Sequence, residues 1–221
     1  MFVKLIRFTP EPDELCGQAA ALCYDSDNPE RSLRGALKRG HGSVSEHAVF
    51  TFYVEGVSRA LLAQLTRHRI ASFSVQSQRY VSMADGFDYV VPPSIMAMGS
   101  GAVEDYARQM RLMHEWYCQW QERLNKAGLK GEDANQDARF VLPNAACTKL
   151  IVTMNARELN HFFEERCCNR AQWEIREMAC LMLECCKAMA PDLFKNAGPE
   201  CLRGACPEGK RSCGKPWKKE A

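Results

Sequence analysis

Thirteen residues, Arg67-His68-Arg69-Ile70-Ala71-Ser72-Phe73-Ser74-Val75-Gln76-Ser77-Gln78-Arg79, set the terms on which this chain can fold. They hold three arginines, a histidine, two glutamines and three serines, with hardly an acid nearby in sequence to balance the charge. Ahead of them, Ser58 to Thr66 reads as a helix with Leu61, Leu62 and Leu65 on one face. After the basic triplet, Phe73 and Val75 follow the period of two that suits a short strand or an extended loop. Arg67 to Arg69 are therefore expected to close a helix, and Ser77 and Arg79 to lie on an extended segment folding back beside them. Guanidinium groups arriving from two directions, with hydroxyls and amides between, suit a phosphate or another planar oxyanion. Cations in the last turn of a helix also complement its dipole, and a solvated basic surface has the same composition, so these residues alone leave both readings open.

A chain of 221 residues can bury one full core. We expect residues 1–195 to form a single catalytic domain and residues 196–221 to be a Cys- and Lys-rich, loosely ordered tail. A net charge of +2 is too balanced for a nucleic-acid coat or a membrane-surface protein. No apolar run approaches the length of a membrane span, and Met1-Phe2-Val3-Lys4-Leu5 lacks the layout of a signal peptide. Twelve cysteines would fit a secreted disulfide scaffold, but Cys167-Cys168 and Cys185-Cys186 are adjacent pairs. Reduced thiols in a cytoplasmic protein are the expectation.

In chain order, Phe2–Phe8 reads as a strand, Asp13–Tyr24 and Pro29–Arg39 as helices, and His41 to His47 as a polar loop before a strand over Ala48–Val54. The loop's Gly42 and Ser43 offer N–H groups and a hydroxyl to a phosphate-bearing cofactor, although an ordinary turn has the same residues. Its two histidines match no common zinc spacing. A strand is expected over Phe87–Val91, ended by Pro92-Pro93, then a long helix over Val103–Lys126. That helix carries Tyr106, Met110, Met113, Tyr117 and Trp120 as an apolar stripe for a core or a subunit interface. Glu132–Arg139 forms a polar helix running into Phe140-Val141-Leu142-Pro143. A β-rich run, Lys149–Met154, leads to a helix whose N-cap is Asn155 and whose Glu158 completes a capping-box pattern. Arg157 and His161, four apart, share one face of that helix. Ala171–Met189 is a further long helix. In the tail, Cys201, Cys206 and Cys213 offer three thiols without a clear fourth ligand, which leaves a metal or cluster site open beside the favoured reading of a loosely ordered tail; no metal ligand is assigned.

Three segments thus end at polar, arginine-bearing junctions: His41 to Ser43, the thirteen-residue stretch, and Asn155 to Arg170. Their convergence would make a cationic site requiring an anionic partner. No Gly-x-Gly-x-x-Gly follows a strand and no Walker sequence exists, so dinucleotide-fold and P-loop readings lack support. The pattern Arg67-His68-Arg69, seven residues, Ser77-Gln78-Arg79 resembles the signature of the flavin-dependent thymidylate synthases. Ala138-Arg139-Phe140-Val141-Leu142-Pro143, Asn155-Ala156-Arg157, and Arg166 followed by Ala171-Gln172-Trp173-Glu174 resemble further family segments, in family order, from about Gly40 to Ile175.

This resemblance implies an α+β fold, a central mostly antiparallel sheet with long flanking helices, assembling as a homotetramer whose sites are shared between subunits. It implies an FAD enzyme that methylates dUMP to dTMP, with methylenetetrahydrofolate as carbon donor and NADPH as reductant. Gln64, Arg67, Val75, Gln76, Ser77, Gln78, Arg79, Arg139 and Arg166 then fall on the dUMP side. His41, Ser43, Arg67, His68, Arg69, Asn155, Arg157 and His161 fall on the FAD side. Arg166 is the catalytic residue expected to favour ionisation of the uracil N3. Two positions depart from the pattern: Val75 stands where many relatives carry an acid, and Arg170 where histidine is frequent. Two other readings use fewer features. One is a single-stranded nucleic-acid-binding module with Phe73 and Tyr80 as stacking platforms, which the near-neutral charge opposes. The other is a thiol enzyme built on Cys167 beside Arg166.

Overall fold

Alternating burial along two central segments lays down the sheet. In the computed structural model, which describes residues 1–218, the strands are β1 (Phe2–Phe8), β2 (Val49–Ser58), β3 (Ala71–Val75) and β4 (Cys147–Asn155). They form one antiparallel sheet in the order β1-β2-β4-β3. Phe50, Phe52 and Val54 of β2 and Leu150, Val152 and Met154 of β4 point into the core, following the period of two. Register between β2 and β4 is fixed where Ala156 N–H donates to the Ala48 carbonyl at 2.8 Å and Thr51 Oγ1 meets Thr153 Oγ1 at 3.0 Å. β2 runs four residues beyond the expected Val54. Gly56 adopts a φ of +70° within it, a conformation glycine tolerates best, and Val57 and Ser58 beyond are buried.

The helices are α1 (Pro12–Tyr24), α2 (Pro29–Lys38), α3 (Arg59–Leu65), α4 (Pro93–Met96), α5 (Ser100–Lys126), α6 (Glu132–Ala138), α7 (Ala156–Arg166) and α8 (Trp173–Met189). Their starts follow side-chain capping. Asn28 accepts from Arg31 N–H, Asn155 from Glu158 N–H, and Gln172 from the N–H groups of Glu174 and Ile175. The Gln172 cap explains why the last long helix begins at Trp173 and not at Ala171. Three further expectations change. The loop at His41 is a 3₁₀ helix over Gly42–His47. The strand expected over Phe87–Val91 is reduced to a single bridge, Tyr89 to Ala146. Ser77 and Arg79 lie in a turn, not on extended chain, because Ser77 Oγ accepts from Arg79 N–H at 3.1 Å and Tyr80 N–H at 3.4 Å.

The described chain divides into two compact units. The first comprises Met1–Val54, Gln64–Phe73 and the residues from Ile151 onward. Its core gathers Leu33, Phe50, Leu159, Phe162, Phe163, Ile175 and Phe194, each at most 1 % exposed. Burying such side chains contributes about 1.5–3 kcal/mol apiece. Phe194 meets Phe50 edge-on with ring centroids 5.4 Å apart. Asp13 of α1 accepts the N–H groups of Asp192 and Leu193, tying the segment after α8 to the first helix. The second unit comprises Glu55–Ala63 and Ser74–Leu150. There Met83, Tyr117 and Ala138 are buried, with Phe87, Leu124, Val141 and Leu142 packed against them.

Candidate active site

In the first unit α7 carries Arg157, His161 and Arg166, three of the residues expected at the site. Its apolar positions, Leu159, Phe162 and Phe163, are buried, so Arg157 and His161 fall on the exposed side. Asn155 caps the helix through Glu158 N–H at 2.9 Å. The Glu158 carboxylate accepts from His68 Nδ1 at 3.2 Å, with both side chains under a tenth exposed. On the other side of the ring, Arg166 Nε lies 3.1 Å from His68 Nε2. An arginine nitrogen can only donate, so Nε2 accepts and the ring hydrogen sits on Nδ1, facing Glu158. His68 is therefore a neutral imidazole joining Glu158 to Arg166. Burial, seconded by the Arg166 charge, holds it below the usual histidine range against the opposing pull of Glu158 and Glu165. Phe162 packs edge-on against the ring at 5.0 Å and His161 at 5.9 Å.

Over this chain of bonds opens a cavity of about 420 Å³, lined by Arg67, His68, Arg69, Ile70, Glu158, His161, Glu165 and Arg166. Arg67 and Arg69 are exposed, while the Arg166 side chain is 21 % exposed and lies 3.5 Å from Glu165. His68, His161 and Glu165 hold ligand atoms within 4.8 Å of one another. Both His68 nitrogens are already engaged, so a cation there would have to displace Arg166 or Glu158. Elsewhere in the same unit, His41 Nδ1 shares a 2.7 Å hydrogen bond with the Tyr24 hydroxyl, and Arg157 Nη1 meets Glu46 at 2.5 Å. Ser43 is exposed on the 3₁₀ turn, and Gln64 sits in the last turn of α3.

The second unit holds the other half of the signature. Gln76 N–H donates to the Lys149 carbonyl, and Val75 just before it ends β3 half-buried. Gln78 is buried and its Oε1 accepts from Arg59 Nη2 at 3.1 Å. Arg59 also reaches the Gln76 carbonyl at 3.4 Å and Thr148 Oγ1 at 3.5 Å. Burial and the charge of Arg139 hold the Arg59 guanidinium below its ordinary value. Arg79 pairs with Glu132 at 3.1 Å and lies over the Tyr80 ring, yet its Nε is buried without a partner. The Arg79 carbonyl accepts from Asn135 Nδ2 at 3.0 Å. Asn135 Oδ1 in turn takes bonds from Tyr117 and Gln121, and Gln121 also donates to Ser82 Oγ. Arg139 bonds the Gln136 carbonyl through Nε at 3.1 Å.

Many known proteins are similar to this chain in sequence. A family profile described as thymidylate synthase complementing protein matches residues 4–192. The flavin-dependent thymidylate synthase of Nitratidesulfovibrio vulgaris is 49 % identical, over 96 % of this chain and 94 % of that protein. Those of Geobacter sulfurreducens and Clostridium tetani are 48 % and 43 % identical, over 97 % and 96 % of this chain and 94 % and 93 % of their own. This chain belongs to the flavin-dependent thymidylate synthase family.

Of the residues expected to bind, the fold brings Arg67, His68, Arg69, His161 and Arg166 to one cavity in the first unit. Arg157 lies on the same helix as His161 and Arg166, and Asn155 caps it. In the second unit Gln76 and Gln78 converge on Arg59. Sequence reasoning missed Arg59, Glu158 in its role toward His68, Tyr24, and the Asn135–Gln121–Tyr117 network. Glu158 reads as half of a capping box, and Tyr117 as part of an apolar stripe, so neither announces a polar partner distant in sequence. The Cys167 thiol is fully buried and hydrogen-bonded to Cys180, which with its burial pushes it up, away from the reactive thiolate. Among the described residues, no helix is long and apolar enough to cross a membrane.

Proposed function

We propose that this chain converts dUMP to dTMP with FAD as cofactor, methylenetetrahydrofolate as carbon donor and NADPH as reductant. The observation that carries the reading is the Glu158–His68–Arg166 chain of hydrogen bonds beneath a cavity edged by Arg67 and Arg69. In the first unit planar guanidiniums and a neutral imidazole suit anionic, phosphate-bearing ligands, and in the second unit Arg79 leaves its Nε without a partner. On this reading Ser43, Arg67, His68, Arg69, Asn155, Arg157 and His161, with His41, hold FAD. Gln64, Arg67, Val75, Gln76, Ser77, Gln78, Arg79, Arg139 and Arg166 hold dUMP. Bound FAD supplies the reducing equivalents that turn a methylene into a methyl group.

The chain's own residues do the rest by charge and position. Arginine keeps its proton in proteins, so Arg166 acts by stabilising negative charge on the uracil N3 and its neighbouring carbonyl. That charge gives C5 nucleophilic character toward the methylene. His68, neutral and fixed on both nitrogens, holds the Arg166 side chain in place. Ser77 Oγ accepts two backbone N–H groups, which leaves its own hydrogen to donate to a phosphate oxygen. It is a ligand and not a nucleophile, since no base adjoins it. No cysteine attack is needed.

The protein acts as a homotetramer in the cytoplasm, with residues 1–195 as its catalytic domain. Leu112, Trp116 and Trp120 of α5, spaced four apart and 41–49 % exposed, make an apolar ridge that supports burial against another subunit. All twelve cysteines are free thiols, as a reducing compartment requires. The test is spectroscopic. Purified protein should show flavin absorption, bleach with NADPH in the absence of oxygen, and recover on adding dUMP and methylenetetrahydrofolate as dTMP forms. A protein that neither retains supplied FAD nor makes dTMP would end this reading.

A further inference from the structure

The first unit holds a second cluster that the proposed reaction does not use. Cys168, on the turn after α7, lines a small recess together with Cys201, Cys206 and Cys213 from the tail, and with Pro216 and Trp217. The sequence shows three tail thiols without a fourth; the fold supplies the fourth from 33 positions upstream of the first of them. We propose that Cys168, Cys201, Cys206 and Cys213 are the four ligands of a thiolate-bound metal centre.

Several features fit a built site. The four cysteines are free thiols, not disulfides. Four cysteine thiolates are the ligand set of structural zinc and of the common iron–sulfur clusters. Lys215 N–H points at Cys213 Sγ at 3.4 Å and Asn169 Nδ2 lies 3.8 Å from it, the kind of donor that steadies a metal-bound sulfur. Gly214, with a φ of +70°, turns the chain directly after Cys213. The tail is anchored to the Cys168 turn by Arg170, which bonds the Arg211 carbonyl at 2.7 Å and Glu208 at 2.5 Å, and by Asn169 to the Lys215 carbonyl at 2.8 Å. Lys210, Arg211 and Lys215 offset the negative charge four thiolates would leave on such a centre. The four sulfurs are not gathered as closely as the ligand atoms of His68, His161 and Glu165, which all lie within 4.8 Å. A zinc tetrahedron needs sulfurs about 3.8 Å apart, from zinc–sulfur bonds of about 2.3 Å. The wider setting therefore suits a cluster better than a single ion.

The centre also has a consequence for the catalytic face. Cys168, Cys201 and Cys206 line a cavity of about 580 Å³ with Arg166, Arg170 and Glu208. A metal joining the first three would pin the tail as a wall beside Arg166.

The test is metal analysis of the full chain, made without an affinity tag and purified without oxygen, with acid-labile sulfide measured alongside. We expect about four iron and four sulfide per chain for a cluster, or about one zinc for a single ion. Either should fall at least tenfold in Cys168→Ser and in Cys201→Ser/Cys206→Ser, and persist in Cys23→Ser and His161→Ala. Should the double variant not fold, Cys213→Ser, altering an exposed thiol, gives the same reading. Substoichiometric metal in the unaltered protein would overturn the proposal. So would metal that survives the cysteine changes but leaves with His161→Ala, or disulfides among the four found by peptide mapping. None of these readouts depends on flavin or on dTMP formation, so the site fails or stands apart from the proposed reaction.

Discussion

Replacing Glu158 by leucine tests the buried bond chain most directly. The Glu158 side chain is 8 % exposed and that of His68 3 %, and 3.2 Å separates Oε1 from Nδ1. Leucine removes the acceptor and leaves Nδ1–H buried without a partner. A change of tautomer cannot rescue it, because a hydrogen on Nε2 would then face the Arg166 Nε–H 3.1 Å away. A buried donor stripped of its partner costs about 1–3 kcal/mol. In a chain of this size about 2 kcal/mol lowers Tm by roughly 4–8 °C. Glu158→Gln keeps an oxygen for Nδ1–H and should stay close to the unaltered protein. The pH dependence follows from the lowered His68 value. The unfolded ring takes a proton near its ordinary pKa of about 6.5 while the folded ring refuses it. Stability from this residue is thus complete above that pH and is lost as pH falls toward the lower folded value. Calorimetric melts at pH 7.5 and 5.5 should show the unaltered protein losing ground to His68→Gln on acidification. Glu158→Leu melting within a degree of Glu158→Gln, or the unaltered protein gaining on His68→Gln at the lower pH, would refute the bond assignment.

Arg79→Lys, which loses the planar fork and the partnerless Nε, should weaken dUMP binding by about 10- to 100-fold in a calorimetric titration, given about 1.5–3 kcal/mol for a charge-assisted bond. Glu132→Gln releases Arg79 from an exposed pair and should tighten dUMP binding slightly, by no more than about fivefold, with the sharpest effect at low salt. Asn135→Leu removes the donor to the Arg79 carbonyl and the acceptor of the Tyr117 hydroxyl hydrogen, and should cost about 1–3 kcal/mol in denaturant unfolding. Trp116→Glu places charge on the exposed ridge of α5 and should shift the protein to smaller species in light scattering.

The elements set by strong local signals were legible in the sequence. The Asn155 cap, the apolar face of α7 and the alternation in β2 each rest on residues close together in the chain. What was not legible depends on partners brought from elsewhere. Ser77 to Arg79 continue the alternation of β3 on paper, but a serine hydroxyl can satisfy the next N–H groups locally, and here it does, making a turn. Phe87–Val91 has strand composition, yet Pro92 and Pro93 follow at once and a single bridge forms. Trp120 extends the stripe of α5 by spacing, but is 46 % exposed while Tyr117 is fully buried. Arg59 opens a helix and looks like a solvated cation; its partners Gln76, Gln78 and Thr148 become visible only with the chain folded.

The sequence also suggests that the arginines lack acids, and in the fold this is untrue in an informative way. Arg79 pairs with Glu132, Arg157 with Glu46 and Arg166 with Glu165, across separations that local reading cannot see for the first two. Each of these carboxylates is 45–47 % exposed. Exposed pairs are worth about 0–1 kcal/mol, less than a charge-assisted bond to a bound phosphate at about 1.5–3 kcal/mol. The acids can therefore hold the guanidiniums in place and still yield them to an anionic ligand. Glu158 is the contrasting case. It is buried, it faces a neutral histidine and not an arginine, and it has no solvent to retreat into. The fold thus keeps two kinds of carboxylate around its cations, one kind exchangeable and one fixed. The fixed one reaches Arg166 only through His68, where a direct buried ion pair would have neutralised the guanidinium charge.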